Sequence, residues 1–252
     1  MKPILVLLTA VLNAFAQNPR NPAYAPIPDQ PGLPRVLLIG SSVSVGYTLP
    51  TRKLLEGKAN VHRIPVMAGT TSNILLHIDE WLGNSKWDLI HFTFGLRDPQ
   101  RMEDGAQQVA PPIYEQNVGL IVKRLKATGA RLIWASATPV PEGDLKPVRK
   151  LEDVLAYDAA ARRIMIANGV AVNDLYAFAL PRLKEIQLPA NVHFTAQGYQ
   201  ALGEQVAAAI LKELGRRTGA GASRSRGGTT CCAVIFRTGN AHGAGDIAAE
   251  AA

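Results

Sequence analysis

Cysteine is nearly absent from this 252-residue chain: the two present, Cys231 and Cys232, are adjacent and lie close to the C-terminus. Neighbouring cysteines rarely bond to each other, because a disulfide needs Cβ atoms about 3.8 Å apart in a geometry that neighbours reach only with strain. The pair fits no metal motif either, since only His242 lies nearby and the spacing is wrong. The sequence therefore predicts a domain that needs no disulfide and no structural metal.

The chain also lacks an apolar run long enough to cross a bilayer, which takes about 20 residues. Its N-terminus carries a shorter run: Lys2 precedes an apolar stretch from Ile4 to Leu12, and Ala14-Phe15-Ala16 follows. A positive start, a short hydrophobic core and an A-x-A site are typical of a cleaved export signal. We therefore expect residues 1–16 to be a signal peptide, the mature protein to be secreted or periplasmic, and no stable membrane insertion.

Acidic residues are fewer than basic ones, and 20 Asp and Glu against 27 Lys and Arg give a net charge of +7. Part of this excess lies outside the predicted domain, since residues 216–252 hold five arginines and two acidic residues and Lys2 belongs to the signal. The remaining charge of about +3 suits solubility and is no nucleic-acid footprint. We expect no nucleic-acid partner.

Three segments follow the signal peptide. Residues 17–34 contain six prolines and little apolar bulk, which predicts an extended leader. Residues 35–215 have the size of one domain with a full core. Residues 216–252 are rich in Gly, Ala and Arg without sustained periodicity, which predicts a disordered basic tail.

The predicted domain alternates two sequence patterns. Short apolar runs predict strands, and longer stretches with apolar residues at helical spacing predict helices. The predicted strands are 36–39, 60–66, 87–94, 131–135 and 170–172, and the predicted helices are 43–55, 72–82, 113–128, 151–167 and 195–214. This alternation predicts an α/β fold in which a parallel sheet of about five strands is covered by helices on both faces.

A sharp turn follows the first strand, where Gly40 ends the apolar run and two serines precede a helix. A hydroxyl there projects from the carboxyl edge of the sheet, where open α/β folds bind ligands. The first backbone amides of the helix face developing negative charge. Ser42 is therefore a candidate nucleophile, and the alternative is that Ser41 and Ser42 only cap the helix.

His193 is the candidate partner of that serine. It lies in a loop just before the last predicted helix, whereas His62 and His91 fall within or beside strands and His77 within a helix. A late loop at the carboxyl edge of a doubly wound sheet can lie over the first strand, which is central. An early serine and a late histidine in this arrangement suggest a nucleophile and its general base.

Four short segments, in order, carry a family resemblance. Gly40-Ser41-Ser42-Val43-Ser44 resembles the Gly-Asp-Ser-Leu block of the SGNH (GDSL-type) hydrolase family of esterases and lipases. Three further segments resemble its second, third and fifth blocks: Ala68-Gly69-Thr70-Thr71, Phe94-Gly95-Leu96-Arg97-Asp98 and Asn191-Val192-His193. The resemblance implies a flavodoxin-like three-layer α/β/α fold and ester hydrolysis through an acyl-enzyme.

The resemblance also implies a role for each matching residue. Ser42 corresponds to the nucleophile and His193 to the general base, and the backbone amides of Ser42 and Gly69 correspond to oxyanion donors. Such a site needs neither a metal ion nor an organic cofactor. Ser41 stands where the family has an Asp of mainly structural role, and we expect the fold to tolerate this change.

Arg97 departs from the family pattern, because it stands where an Asn side chain is expected as the third oxyanion donor. Loss of one such donor typically costs about 10²–10³ in rate. Three roles are open for Arg97: the missing donor, the binding of an acidic substrate, or an ion pair with the neighbouring Asp98.

The triad acid is also missing, since Ala190 stands three residues before His193. Asn191, a backbone carbonyl or a carboxylate from elsewhere in the chain could hold the Nδ1 atom of His193, and Asp174 is the one remote candidate, although an Asp at a strand-to-helix junction is usually a cap. A Ser–His dyad is chemically possible, because the acid mainly orients the ring and stabilises the imidazolium.

The predicted function is that of an exported serine esterase acting on a small-molecule or polysaccharide ester, with acetyl groups on carbohydrates as the first candidate. A lysophospholipase or thioesterase of the same family is the alternative enzyme. The alternative from another class is a non-catalytic carbohydrate-binding protein on the same fold, which the loss of the triad acid and of the third oxyanion donor motivates.

Overall fold

The computed structural model describes residues 21–141 and 145–216. The predicted signal peptide, residues 1–16, lies outside the described residues, and so do residues 17–20 of the leader and all of the tail beyond residue 216. Within the described part of the chain, no helix combines the length and the apolar character that a membrane span requires.

Five parallel strands form one sheet: β1 (Arg35–Ile39), β2 (Asn60–Arg63), β3 (Leu89–Thr93), β4 (Arg131–Ala135) and β5 (Ala171–Asn173). Their order is β2-β1-β3-β4-β5. This is the flavodoxin-like order of doubly wound sheets, in which ligands bind at the carboxyl ends of the strands where the order reverses. The predicted α/β fold is confirmed.

Seven helices lie on the described chain: α1 (Ser42–Leu54), α2 (Thr71–Leu82), α3 (Pro111–Ala127), α4 (Leu151–Ala167), α5 (Leu175–Ala179), α6 (Leu183–Ile186) and α7 (Ala196–Gly215). Helices α2, α3 and α4 contribute to the apolar core on one face of the sheet. Helices α1 and α7 pack together in the core on the other face. The three layers follow from the right-handed crossovers that join parallel strands.

Strand β1 is buried on both faces, which explains its continuous apolar sequence. Leu37 and Ile39 belong to the core beneath α2, α3 and α4, whereas Val36 and Leu38 belong to the core beneath α1 and α7. Because successive side chains of a strand point to opposite faces, this one short strand stabilises both cores.

The element boundaries differ from the predictions in ways that have local causes. Strand β2 ends at Arg63 rather than at residue 66, and α3 begins at Pro111, a residue whose missing N–H and fixed φ suit the first helical position. The short helices α5 and α6 were not predicted, because four or five residues are too few to show a helical period.

The described part of the leader, residues 21–34, packs against the domain. A short 3₁₀ turn buries Ala23, and the carboxylate of Asp29 contacts the Nε2 atom of His62 at 2.6 Å and the Nε atom of Arg35 at 2.9 Å. These contacts join the leader to β1 and to the edge strand β2. The leader is therefore anchored on the side of the sheet remote from β5.

Candidate active site

A small cleft opens at the carboxyl ends of β1 and β3, where the strand order reverses. Its cavity volume is about 40 Å³. Three of the residues singled out from the sequence, Ser42, Gly69 and Arg97, line it, and Arg149 lines it as well. The topological switch point thus brings together residues that lie more than 100 positions apart.

The turn before α1 is held by close backbone packing and by one buried arginine. A Cβ atom on Gly40 would lie 2.6 Å from the Cβ of Ser44 and 2.6 Å from the Cγ2 of Thr93, so this position requires glycine. Arg63, at the end of β2, donates from Nη2 to the carbonyl oxygen of Gly40 at 2.7 Å and from Nη1 to the Oγ of Ser44 at 2.6 Å. No local motif marks this arginine, and sequence reasoning missed it.

Ser41 occupies the N-cap position of α1, but its side chain makes no capping hydrogen bond. Its Oγ instead accepts from the backbone N–H of Gly69 at 3.1 Å and lies 3.3 Å from the carbonyl oxygen of the same residue. The interpretation of Ser41 as a side-chain cap is therefore wrong. Ser41 ties the start of α1 to the loop after β2.

Ser42 and His193 meet at this edge of the sheet. The Oγ of Ser42 lies 2.9 Å from the Nε2 of His193, across 151 positions of sequence. This distance is within the reach that general-base catalysis requires. The first turn of α1 places the hydroxyl in the cleft, and the loop before α7 places the imidazole beside it.

Asn191 orients the imidazole from the other side. Its Oδ1 lies 3.0 Å from the backbone nitrogen of His193 and 2.8 Å from the Nδ1 of the same residue. A backbone N–H can only donate, so the Asn191 atom that it contacts must be the carbonyl oxygen. The Nδ1 atom must then carry the proton, which leaves Nε2 free to accept the proton of Ser42.

The loop that carries His193 is fixed at both ends. The carbonyl oxygen of His193 accepts from the backbone N–H of Leu188 at 3.0 Å, and the Oγ1 of Thr195 caps α7 by accepting from the N–H of Gly198 at 3.1 Å. Ala190 lies in the turn between, with a φ of +46°, a conformation that L-residues other than Asn and Asp rarely adopt. Position 190, where the triad acid was expected, thus lies in a tight turn and carries no carboxylate.

Asp174 makes its contacts elsewhere. Its Oδ1 accepts from the backbone N–H of Ala177 at 2.9 Å and so caps α5, and its Oδ2 accepts from Arg162 at 2.7 Å. The Oγ of Ser136 donates to its Oδ1 at 3.2 Å. Within the described residues Asp174 forms no hydrogen bond with His193, so it is a helix cap and not the partner of the imidazole.

The two backbone amides predicted as oxyanion donors differ in their surroundings. The N–H of Ser42 is one of the first N–H groups of α1, which have no acceptor within their helix. The N–H of Gly69, where φ is +75°, donates to the Oγ of Ser41. The Gly69 amide can therefore serve an oxyanion only if the hydroxyl of Ser41 turns away or shares the hydrogen.

Arg97 and the neighbouring Asp98 do not form the ion pair considered from the sequence. Asp98 is buried, and its Oδ1 accepts from the backbone N–H of Thr71 at 2.7 Å and from the Oγ1 of Thr71 at 2.6 Å. Burial raises the pKa of the Asp98 carboxyl above its ordinary value. Asp98 thus anchors the start of α2, and Arg97 faces the cleft.

Arg149 is a second arginine of the cleft, and sequence reasoning missed it. It lies just before α4, far from every motif, and its guanidinium donates from Nε to the carbonyl oxygen of Leu96 at 2.6 Å. Partial burial, followed by the charge of Arg149, lowers the pKa of His193 below its ordinary value. The imidazole therefore stays neutral, as a general base must be, to a lower pH than an exposed histidine.

The other described histidines lie in structural settings. His91 is buried in β3, where burial lowers its pKa to about 4. His62 contacts Asp29 at the sheet edge, and His77 stacks on Trp81 along α2. Within residues 21–141 and 145–216, no three His, Cys, Asp or Glu side chains come together in a way that could hold a metal ion.

Comparison with known proteins extends this description. The sequence model of the GDSL-like lipase/acylhydrolase family matches residues 39–201, which include the turn before α1 and the loop of His193. No curated protein sequence matches the chain significantly.

Several solved structures share the fold at low sequence identity. An acetyl xylan esterase is 13% identical with a TM-score of 0.61, and the match covers 70% of this chain and 99% of that one. A lipase/acylhydrolase from Enterococcus faecalis is 18% identical with a TM-score of 0.61, covering 71% and 95%. An acetylxylan esterase from Geobacillus stearothermophilus is 18% identical with a TM-score of 0.58, covering 73% and 95%.

Proposed function

The chain belongs to the GDSL-like lipase/acylhydrolase family and is a serine ester hydrolase, and we propose that it is exported and removes small acyl groups, acetyl first among them, from carbohydrate hydroxyls. The observation that carries the catalytic part of the proposal is the contact of 2.9 Å between the Oγ of Ser42 and the Nε2 of His193. Two neighbours of the same fold are acetyl xylan esterases, which motivates an acetylated carbohydrate as the substrate.

The first half-reaction forms an acyl-enzyme. The Oγ of Ser42 attacks the ester carbonyl carbon while His193 takes the hydroxyl proton on Nε2. The backbone N–H of Ser42, joined by that of Gly69 once Ser41 releases it, stabilises the oxyanion of the tetrahedral intermediate. The intermediate collapses when the bond to the alcohol oxygen breaks, and the imidazolium returns its proton to that oxygen.

The second half-reaction repeats these steps with water. His193 takes a proton from a water molecule that attacks the acyl carbon on Ser42, and the same donors stabilise the second oxyanion. Collapse breaks the bond to Oγ, His193 returns the proton to Ser42, and the carboxylic acid leaves. Asn191 keeps the ring in the required tautomer throughout, although it offers the imidazolium a neutral carbonyl instead of a carboxylate.

The size of the cleft supports a small acyl group. The cavity volume beside Ser42 is only about 40 Å³. An acetyl group fits this space better than the long chain of a lysophospholipid or a fatty acyl thioester. Lysophospholipase and thioesterase activity are therefore the weaker candidates within the family.

The second candidate function is that of a non-catalytic carbohydrate-binding protein. Ala190 and Arg97 favour it, because they replace the triad acid and the third oxyanion donor. The two candidates differ in the reactivity of Ser42. A fluorophosphonate probe labels a serine activated by a neighbouring base, whereas the hydroxyl of a binding protein stays unlabelled.

The test is the hydrolysis of p-nitrophenyl acetate by the mature protein, by the Ser42→Ala variant and by a Ser85→Ala control. Ser85 is exposed in the turn before β3, at the opposite end of the strands from the cleft. We expect Ser42→Ala to reduce kcat/KM by about 10⁴-fold or more, while the control hydrolyses and labels like the parent. Full turnover by Ser42→Ala would refute the proposed nucleophile.

Export is tested separately. Expression of the full chain with its own N-terminus should release a mature protein that begins at Gln17, and mass spectrometry reads this directly. A protein that retains Met1 inside the cell would contradict the export proposal and leave the esterase proposal untouched.

A further inference from the structure

The cleft beside Ser42 is lined by two guanidinium groups and by no carboxylate among the described residues. Arg97 and Arg149 come from separate loops, after β3 and before α4, and both face the space next to the nucleophile. The N-terminus of α1 adds partial positive charge, and no acidic residue in its first turn offsets it. The triad carboxylate is also missing, since an alanine and a neutral amide stand in its place. The site therefore holds an uncompensated positive charge.

Arg149 is fixed in place by acceptors that leave its charge intact. Its guanidinium donates to the carbonyl oxygens of Leu96 at 2.6 Å and Pro147 at 3.1 Å, and to the Oε1 of Gln100 at 3.3 Å. All three acceptors are neutral. Because Leu96 directly precedes Arg97, the bond to the Leu96 carbonyl also ties the side chain of Arg149 to the backbone beside Arg97.

Arg97 is available to a ligand. Its side chain forms no hydrogen bond and no ion pair within residues 21–141 and 145–216, and Asp98 beside it is committed to Thr71. Several other arginines form ion pairs with carboxylates; Arg101, for example, lies 2.7 Å from Asp153. The cleft thus presents an unneutralised guanidinium where substrate must enter.

The charge of Arg97 also acts on Arg149. Burial, followed by the charge of Arg97, lowers the pKa of Arg149. Like charges held close together destabilise a fold unless an anion lies between or beside them. Guanidinium groups bind carboxylates through two parallel N–H donors, which adds geometric specificity to the charge.

We propose that the substrate is an anionic ester, with a carboxylate that binds at Arg97 and Arg149 while its ester carbonyl lies at the Oγ of Ser42. This inference rests on the proposed esterase function and adds the charge class of the substrate. It assigns Arg97 to substrate binding; an oxyanion donor would instead act on charged and neutral esters alike, and the kinetic test separates these two roles.

The kinetic test compares phenyl acetate with 3-acetoxybenzoate, two esters that differ by one ring carboxylate. Monophenyl succinate carries the carboxylate on the acyl side and shows which half of the ester the arginines contact. We expect the parent enzyme to prefer one of the charged esters by about 10- to 100-fold in kcat/KM, the range of a hydrogen bond to a charged group. Added salt should reduce this preference and leave phenyl acetate hydrolysis unchanged.

Variants separate the possible roles of Arg97. Arg97→Gln should lower the ratio of kcat/KM on the preferred charged ester to kcat/KM on phenyl acetate by about tenfold or more, since only the charged ester loses a charge-assisted bond. Arg97→Lys should keep part of the preference. Arg163→Gln changes an exposed arginine near the C-terminal end of α4 that pairs with Glu115 of α3; it is the matched control and should change neither rate. An equal fall on both esters, or no fall on either, would overturn the proposal.

A binding measurement distinguishes this inference from the esterase proposal. Ser42→Ala cannot form an acyl-enzyme but retains both arginines, so calorimetry can compare its binding of 3-hydroxybenzoate with that of phenol. Arg97-dependent binding of the carboxylate would support the anionic cleft even if no ester were hydrolysed. Ester hydrolysis without any preference for the carboxylate, in binding or in rate, would leave the esterase standing and refute the anionic substrate.

Discussion

Restoring a carboxylate beside the general base should make this enzyme faster, but only modestly. The change is Asn191→Asp, at the side chain whose Oδ1 already lies 2.8 Å from the Nδ1 of His193. The aspartate can accept the same two hydrogen bonds from His193, and it adds a negative charge next to the imidazolium that forms in the transition state.

The magnitude follows from the geometry and the exposure. Two unit charges about 4 Å apart attract by about 4 kcal/mol at an effective dielectric constant of 20. Asn191 is exposed and His193 half-buried, and exposed ion pairs retain only about 0.2–1 kcal/mol. We therefore expect about 1 kcal/mol, the upper end of that range because the imidazole is half-buried, which corresponds to about fivefold in kcat/KM.

The expected gain in rate is small because Asn191 already orients the imidazole, which is one of the two roles of a triad acid. In triad enzymes the Asp-to-Asn change is severe because the ring takes the wrong tautomer. Here the backbone N–H of His193 forces the carbonyl oxygen of Asn191 toward the ring, so the tautomer is correct without the charge. Removing the acceptor with Asn191→Ala should instead lower kcat/KM by about fivefold, the value of one orienting hydrogen bond of about 1 kcal/mol.

The assay is the pH profile of kcat/KM on phenyl acetate, a neutral ester that avoids the effect of the new charge on substrate binding. Asn191→Asp should raise the pKa of His193, so its acid limb moves to higher pH while its plateau rises. Asn84→Asp, which adds the same charge in the exposed turn before β3, is the matched control. If both Asn191 variants keep the parent's plateau and limb, Asn191 does not orient the base.

Two further predictions concern the electrostatics and the packing of the domain. Arg149→Gln removes a positive charge that lowers the pKa of His193, so the acid limb on phenyl acetate should move to higher pH, and an unmoved limb would contradict the effect of Arg149. Gly203→Ala would place a Cβ 2.6 Å from the Cβ of Pro50 between α7 and α1, so urea unfolding should show a loss of about 1–3 kcal/mol. Gly119→Ala in α3 meets no atom within 4 Å and should gain about 0.5–1 kcal/mol, and equal effects of the two changes would refute the packing argument.

The sequence alone could reach the fold, because the fold depends on patterns that are local. Apolar runs of four or five residues alternate with stretches of helical period, and each pattern buries one kind of surface. The limits of α4 were predicted to the residue, since its period is long and clear. The short helices between β5 and His193 could not be predicted, because four or five residues are too few to show a helical period; both pack against α7.

The candidate site was only partly accessible from sequence. Ser42 and His193 could be named because each lies at a recognisable turn beside a helix start. The bond from the Gly69 amide to Ser41, by contrast, could not be foreseen, since it depends on the distance between two loops from different strands. Arg149 carried no signal, because an arginine before a helix is common and its place in the cleft is set by the packing of α4.

By itself the sequence determined the parallel α/β architecture and the pair of side chains that could perform ester hydrolysis, since hydrophobic period, glycine turns and helix starts are properties of neighbouring residues. Only the tertiary structure decided that Asn191 holds the imidazole and that two arginines share the cleft. It also decided that Asp98 accepts hydrogen bonds at the start of α2 and does not pair with Arg97. The physical reason is that hydrogen bonds and charge pairs act over about 3–4 Å. Partners at that distance are chosen by how the strands and helices pack, and several choices are compatible with one sequence pattern.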